Sequence, residues 1–534
     1  MVNIIAGARF LERFFFEEGR FEKATHSPRE HQQSLLQKIL DENADTEIGR
    51  NYGFSSISNF REFQYRVPVS SYDDFQPFIH RIANGESNVL TAEPVEYLAT
   101  TSGTTAEPKF IPCTRSYLDN QFLSRLPSWR KLLRDNPKVI PGKTLHMTGA
   151  TIDGYTNAGI PYGSISGILA HTGLETEGAI YKYFISLPHG IFDMGDIDTK
   201  LHLAARIALQ HNITICITPN PGSLLTLVAY IQDNASALIE EIEHGILPKG
   251  IVPKLSPYFQ PNKPKAKELW GILEAHPEFL PKDYWLRMAQ VSSMFQGYGI
   301  FFESKLRQVF GPEVKYKDVG LQATEGRISV SFPETHPHGV LAVTTNVLEF
   351  QPEAEEIYLA PHELEIGKNY YVLLTTRGGL YRYDLGDLVK VVGRFNSTPI
   401  ISFIGRRNTL SIADETITDT QFWQAVTLAE QTTGIQVSQI YINPITAGNW
   451  QELPRYDFRV VFAEELQKPK ALAFLKSLDD KLCAMNVSYF KKRQLRNIGA
   501  PSLSVVEPSP SNLHSKPLFY KENPSDKVHW SIRL

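Results

Sequence analysis

A run of hydroxyls and one glycine ahead of a lysine, Thr100-Thr101-Ser102-Gly103-Thr104-Thr105-Ala106-Glu107-Pro108-Lys109, follows the apolar-rich segment Val95 to Ala99. A loop of this composition wraps an anion with backbone N–H groups and hydroxyl side chains. It points to phosphate, and from there to a nucleotide. It is not a loop of the GxxxxGK[ST] kind, because it holds one glycine and its lysine precedes Phe110. A Ser/Thr-rich turn without function remains the alternative while the loop stands alone.

The rest of the chain sets the class around that loop. At 534 residues there is room for one large domain and a smaller one. A hydrophobic share of 42% and a charged share of 21% are ordinary for a soluble globular protein. A net charge of −4 without a basic block argues against a nucleic-acid partner. Cys113, Cys216 and Cys483 are too few and too scattered for a disulfide framework or a zinc cluster, and fit a reducing, cytoplasmic setting. No apolar run approaches the ~18 residues of a membrane span. Met1 to Lys23 is apolar and aromatic but is broken by Glu12, Glu17, Glu18 and Glu22, which excludes a signal peptide. It reads as an amphipathic helix on the core, with a membrane-surface helix as the alternative. A monomer with no membrane partner is expected.

Mixed elements fill the first 400 or so residues. Ser27-Pro28-Arg29-Glu30 predicts a capping box with proline at the first helical position, ahead of Leu35, Leu36, Ile39 and Leu40 at helical spacing. Residues 115–135 and 200–243 read as helical. Thr214 to Ile217, Val340 to Thr345, Tyr370 to Thr376 and Leu388 to Val392 read as strands. Together they predict a large α/β body. From about residue 411 the rhythm changes. Thr418-Asp419-Thr420-Gln421 caps a helix to Thr432, Val437 to Ile442 and Tyr456 to Phe462 are strands, Lys468 to Met485 is a helix, and Leu503 to Val506 is a strand. Gly405-Arg406-Arg407-Asn408 before this unit is read as a hinge.

Two further segments carry candidate chemistry. In Gly320-Leu321-Gln322-Ala323-Thr324-Glu325-Gly326, a hydroxyl beside a carboxylate suits phosphate and Mg²⁺ together, since magnesium takes oxygen ligands and keeps waters. A solvated Thr-Glu pair is the plainer alternative. In Gly379-Leu380-Tyr381-Arg382-Tyr383-Asp384-Leu385-Gly386-Asp387, an aspartate fixed at a tight glycine turn can accept from ribose hydroxyls, and a β-turn aspartate is the alternative. His336-x-His338 beside Pro337 reads as a polar loop rather than a metal site.

The three motifs in this order, ahead of a basic hinge, resemble those of the plant-type acyl acid amido synthetases. That family is a branch of the adenylate-forming superfamily, which includes acyl-CoA ligases and firefly luciferase. The resemblance spans nearly the whole chain. It includes Asn43-Ala44-Asp45-Thr46-Glu47, Val67-Pro68-Val69, Tyr72-Asp73-Asp74, Gln76-Pro77-Phe78-Ile79, Arg81-Ile82-Ala83-Asn84-Gly85 and Glu349-Phe350. It continues in Asn486, Tyr489 and Arg493, with Ile498-Gly499 downstream.

The resemblance implies an α/β fold with a large multi-sheet N-terminal domain of the firefly luciferase-like type. Residues 1–410 would hold the ATP and acyl-acid sites, and residues 411–534 would form a small α+β domain on a hinge. It implies that Thr101, Ser102, Gly103, Thr104, Thr105 and Lys109 surround the ATP phosphates. Thr324 and Glu325 would contact phosphate, with Mg²⁺ on Glu325. Tyr381, Asp387 and Arg406 would hold the adenylate, Asp387 at the ribose. Phe519-Tyr520-Lys521 resembles a family motif that would bring Lys521 into the site beside Lys109 and Glu325, and a solvated tail lysine is the alternative. Two positions depart from the family. Leu321 stands where an aromatic ring usually covers adenine. The segment Gly159 to Ser164 lacks the family's arginine, so Tyr162 is taken to shape a different acid pocket or merely a turn. The implied reaction adenylates a small carboxylic acid and passes the acyl group to an amino acid or other amine. A thioester ligase using CoA or a carrier protein, and a nucleotide binder without catalysis, are the alternatives.

Overall fold

The structure is a computed structural model and describes residues 16–17, 19–101, 109–139, 142–247, 253–332, 335–353, 355–407, 409–413, 415, 417–446, 450–506 and 528–534. Ser102, Gly103, Thr104, Thr105, Asn408 and Lys521 therefore lie outside the described residues.

Most of Met1 to Lys23, expected as an amphipathic helix on the core, lies outside the described residues. Residues 19–26 are helical, with Phe21 and Ala24 buried. Helix Pro28–Glu42 starts on its proline and buries Leu36, Ile39 and Leu40. The capping box at its start does not form. The Ser27 N–H is already donated to the Ala24 carbonyl of the preceding helical turn, and its Oγ lies 3.4 Å from His31 Nδ1. The 115–135 stretch divides into Arg115–Leu123 and Leu126–Asp135, where Pro127 begins a second helix that the first cannot continue into. The strand expected at Val340 to Thr345 is Gly339–Leu341, because the Val343 and Thr345 N–H groups turn back onto the Leu341 and Ala342 carbonyls.

Among the described residues before 407 there are three sheets. The first runs Lys109–Thr114, Val95–Thr101, Pro161–Ser164, Gly154–Tyr155. The second is antiparallel in the order Val347–Pro352, Asn369–Thr375, Tyr383–Phe395, Thr398–Arg406, Gly339–Leu341, Ser329–Val330. The third is parallel, in the order Lys143–His146, Ile213–Ile217, Gln290–Ser293, Lys315–Asp318. Its strands are joined through helices such as Ile197–Ala208 and Ile300–Phe310, and its apolar residues are correspondingly buried. The first two sheets share one core with the N-terminal helices, built on residues such as Phe54, Ile111, Val372 and Val389.

After residue 410 the observed elements follow the expected order closely. Helix Asp419–Thr433 carries its capping box between Thr418 and Gln421. Val437–Ile445, Arg455–Phe462, Ser502–Val506 and Val528–Arg533 form a mixed sheet in that order, and helix Lys468–Met485 has the expected bounds. Gly405 and Arg406 are not loop residues: they end strand Thr398–Arg406, with Arg406 opposite Asp387. Among the described residues no helix is long and apolar enough to cross a membrane.

Candidate functional site

The hydroxyl-rich loop is flanked by a strand pair that fixes its two ends. Thr101 ends one strand and Lys109 begins the next, and the two residues pair across the ladder. Lys109 Nζ sits 4.8 Å from the ring centroid of Tyr72, and the Phe110 N–H donates to the Tyr72 hydroxyl at 2.9 Å. Tyr72 opens helix Tyr72–Ala83, whose first turn is held by Asp74 accepting from the Ser71 N–H at 2.8 Å. One turn along, the Phe75 ring lies 6.1 Å from that of Tyr383.

Tyr383 links this region to the other two motifs. It begins strand Tyr383–Phe395, and its hydroxyl donates to Glu325 Oε1 at 3.4 Å. The Thr324 and Glu325 carbonyls both accept from the Tyr117 hydroxyl, at 3.1 and 3.0 Å, which pins the loop from below. Glu325 is only 8% exposed, so the solvated Thr-Glu pair is not what this sequence forms. Burial pushes its carboxyl above the ordinary glutamate range, against the pull of the Arg406 guanidinium. Burial and the facing Glu325 likewise raise the Tyr383 phenol, which keeps it a donor.

Asp387 lies on the same strand and not at a tight turn. The Tyr371 to Leu373 stretch pairs across an irregularity in this part of the strand, and Gly386 takes a φ of +69°. That bend lets Asp384 accept from the Gly386 N–H at 2.8 Å while Asp387 meets Arg406, whose Nε donates to Oδ1 at 2.7 Å. Two carboxylates, a guanidinium and a phenol thus converge at Glu325, Asp387, Arg406 and Tyr383, while Lys109 stands on the Tyr72 ring. Such a set can bind an anionic group and a polyhydroxyl at once.

Several expected positions fall elsewhere. Tyr381 is a core residue: it is 1% exposed, its hydroxyl donates to the Leu90 carbonyl at 2.9 Å, and its ring meets Phe54 at 4.9 Å. It is therefore removed from the cofactor-binding set. Tyr383, which sequence reasoning passed over, is the tyrosine that contacts Glu325. Alternation along the strand could have found it, since Tyr383, Leu385 and Asp387 share one parity. Leu321 is buried in the core shared by the first two sheets. Tyr162 is on strand Pro161–Ser164, paired with Leu98, with its ring 5.2 Å from Phe110, so a turn is not its role. The Asn486, Tyr489 and Arg493 pattern is structural. Asn486 caps helix Val487–Gln494, and Tyr489 and Arg493 both bond Asp479 of the neighbouring helix. His336 bonds Glu303 at 3.2 Å and accepts from the Asp318 N–H at 3.0 Å. Among the described residues no cluster of His, Cys, Asp and Glu could hold a metal by itself.

Residues 17–314 match the GH3 family N-terminal domain, and residues 339–406 match the GH3 family central domain. This chain belongs to the GH3 family. Among its GH3 relatives is a protein named jasmonoyl–L-amino acid synthetase JAR4 from Nicotiana attenuata, 27% identical over 436 residues, which cover 75% of this chain and 73% of that one. Another, the indole-3-acetic acid-amido synthetase GH3.2 of Arabidopsis thaliana, is 24% identical over 509 residues, 86% of this chain and 90% of the relative. The solved structure of the GH3.15 acyl acid amido synthetase superposes with a TM-score of 0.66 at 20% identity, covering 96% of each chain. The GH3 likeness thus extends to the fold of nearly the whole chain, and the α/β architecture expected from the sequence holds.

Proposed function

We propose that this chain is an ATP-dependent acyl acid amido synthetase. What supports the reading is that Glu325, Tyr383, Asp387 and Arg406 interact with one another, with Lys109 on the Tyr72 ring, in a chain whose family includes amido synthetases. An oxygen of the acid's carboxylate attacks the α phosphorus of ATP. A carboxylate–phosphorus bond forms, the bond to the β phosphate breaks, and pyrophosphate leaves. The amine nitrogen then attacks the acyl carbon, loses its proton, and AMP departs.

Lys109 and the hydroxyl loop, Thr101 to Thr105, neutralise phosphate charge during the displacement. Asp387 accepts from the ribose hydroxyls. Arg406 pairs with Asp387 in the ligand-free protein and turns to the adenylate once the ribose takes its place. Glu325, backed by Thr324, presents hard oxygen to Mg²⁺, which fits a metal that relies on few carboxylates and on substrate phosphates. When bound, Mg²⁺ supplies positive charge at the phosphate oxygens. Lys521 is proposed to join from the small domain, residues 411–534, as that domain parts from the core it shares with the parallel sheet and turns about the segment after Arg406. A monomeric working unit is part of the proposal. The unpaired thiols of Cys113, Cys216 and Cys483 support a cytoplasmic location.

Pyrophosphate release across a panel of carboxylic acids, with a mixture of amino acids present, tests the first step. Mass spectrometry then separates amides from CoA thioesters. No release with any acid would leave a nucleotide-binding relative and refute the proposal. Asp387→Ala should raise the KM for ATP by about tenfold or more, as loss of charged hydrogen bonds does. An unchanged KM would remove Asp387 from the ribose.

A further inference from the structure

The residues just ahead of helix Tyr72–Ala83 are stitched to the strand that carries Tyr383 and Asp387. The Ser70 N–H donates to the Arg382 carbonyl at 3.1 Å, and the Asp384 N–H donates back to the Ser70 carbonyl at 2.9 Å, which makes a parallel bridge between Ser70 and Tyr383. Asp74 closes the helix start by accepting from both the N–H and the hydroxyl of Ser71 at 2.8 Å, and these bonds hold its carboxyl below the ordinary aspartate range. The first turn of the helix is therefore fixed relative to the strand Tyr383–Phe395.

From that turn Tyr72 reaches the first motif. It is buried, and two parts of it act on neighbouring residues. Its hydroxyl accepts the Phe110 N–H at 2.9 Å, which fixes the backbone where strand Lys109–Thr114 begins. Its ring faces the Lys109 ammonium, 4.8 Å from Nζ to the centroid. One tyrosine thus holds both the root and the head of the lysine side chain. Among the described residues no carboxylate pairs with Lys109. The kind of partner matters here. Lysine is a point charge on a flexible stem, and left free it samples many rotamers. A carboxylate would order it but would compete with phosphate for its charge. An aromatic face orders it through the ring quadrupole, more weakly than a charge-assisted hydrogen bond, and so releases it to an oxyanion.

We propose that Tyr72 is a positioning residue for the adenylation step: its ring holds the Lys109 ammonium ready until phosphate arrives, and its hydroxyl fixes the strand end from which that lysine extends. This rests on the reading of Lys109 as a phosphate-binding lysine and goes beyond it by assigning the group that readies it. It also gives a role to Tyr72-Asp73-Asp74, which the reaction itself does not use: Asp74 sets the helix start, and the helix start sets Tyr72. Without the ring the lysine keeps its charge but loses its place. The effect therefore falls on the step in which charge develops at phosphate, and not on binding of the acid.

The test uses the full chain and two readouts. The first is pyrophosphate release with benzoate, phenylacetate, indole-3-acetate and octanoate as probes, continued with the acid that performs best. Tyr72→Leu should lower kcat by about tenfold with the KM for that acid within about twofold, and Tyr72→Phe, which keeps the ring, should recover most of the loss. In a Lys109→Met background, Tyr72→Leu should cost less than about twofold more, because the ring then has no ammonium to hold. A full tenfold loss in that background would make Tyr72 a support of the fold only, and overturns the proposal while leaving the synthetase reading intact. The second readout is the NMR spectrum of protein labelled at lysine Cε, with the Lys109 signal assigned through Lys109→Arg. That signal should lie upfield of the other lysines through the ring current of Tyr72, return to the ordinary position in Tyr72→Leu, and move when ATP is added. A Lys109 signal at the ordinary position in wild-type protein overturns the proposal, whether or not pyrophosphate is released. Where a variant does not fold or is too slow to follow, this signal decides. If wild-type protein responds to no acid, both readings fail together.

Discussion

Arg382 is the strongest single lever on the site, and its removal can be worked through from the structure. It is 2% exposed, and its Nε donates to both oxygens of Glu349 at 3.1 Å, with Glu349 1% exposed. Its Nη1 donates to the Gln64 and Val67 carbonyls at 2.8 Å each. It thereby ties three segments together immediately ahead of Tyr383. Arg382→Met keeps a long side chain and the same burden at its φ of +47°, so the backbone contribution cancels. What remains is one buried carboxylate without its partner, costing about 3–5 kcal/mol, and two carbonyls that lose a donor, about 1 kcal/mol each. Glu349→Leu should cost about 3–5 kcal/mol by leaving the guanidinium unpaired. The double variant Arg382→Met/Glu349→Leu should be far less damaging than the two losses added, with a coupling of about 2 kcal/mol or more. Urea unfolding at pH 7 measures all four proteins. Additive losses, or a cost under about 1 kcal/mol for Arg382→Met, would refute the view that this pair clamps the strand carrying Tyr383 and Asp387.

Two further outcomes follow from the same geometry. The Glu325 carboxyl has a folded-state pKa above the unfolded 4.5, so ligand-free stability falls as pH rises through the folded value. Glu325→Gln should therefore be more stable than wild type at pH 7, by about 1–3 kcal/mol, with the gap closing below pH 4.5; thermal unfolding against pH checks it. Asn486→Ala removes the cap of helix Val487–Gln494 and should cost about 1 kcal/mol in urea while leaving acid-stimulated pyrophosphate release unchanged, as expected of a structural residue.

How much of this was legible in the sequence depends on whether the deciding contact is local. Helix Lys468–Met485 and the Thr418 capping box were readable because helical period and cap chemistry act within a few residues. The Ser27 box failed because a neighbouring helical turn had already taken the N–H it needed. Tyr383 begins the strand while Tyr381 lies two residues before it, held in the core by Leu90 and Phe54, and no local pattern separates the two. Arg327 is not singled out by the sequence. Its burial arises only when the 320–328 segment folds against helix Arg115–Leu123, where the Arg327 N–H donates to Gln121 Oε1 at 3.0 Å.

One apolar core spans the parallel sheet and the C-terminal unit. Leu224, Val228 and Phe302 belong to the same buried cluster as Ile412, Phe422 and Leu503, and Asn220 Nδ2 donates across to the Ala413 carbonyl at 3.1 Å. Chains are made from the N-terminus. The parallel-sheet half of this core therefore leaves the ribosome with one flank bare, and that flank waits for roughly the last quarter of the chain to arrive. At synthesis rates of about 5–20 residues per second, the wait is several seconds, and a chain that stalls in that interval presents its aliphatic side to any other unfinished chain nearby.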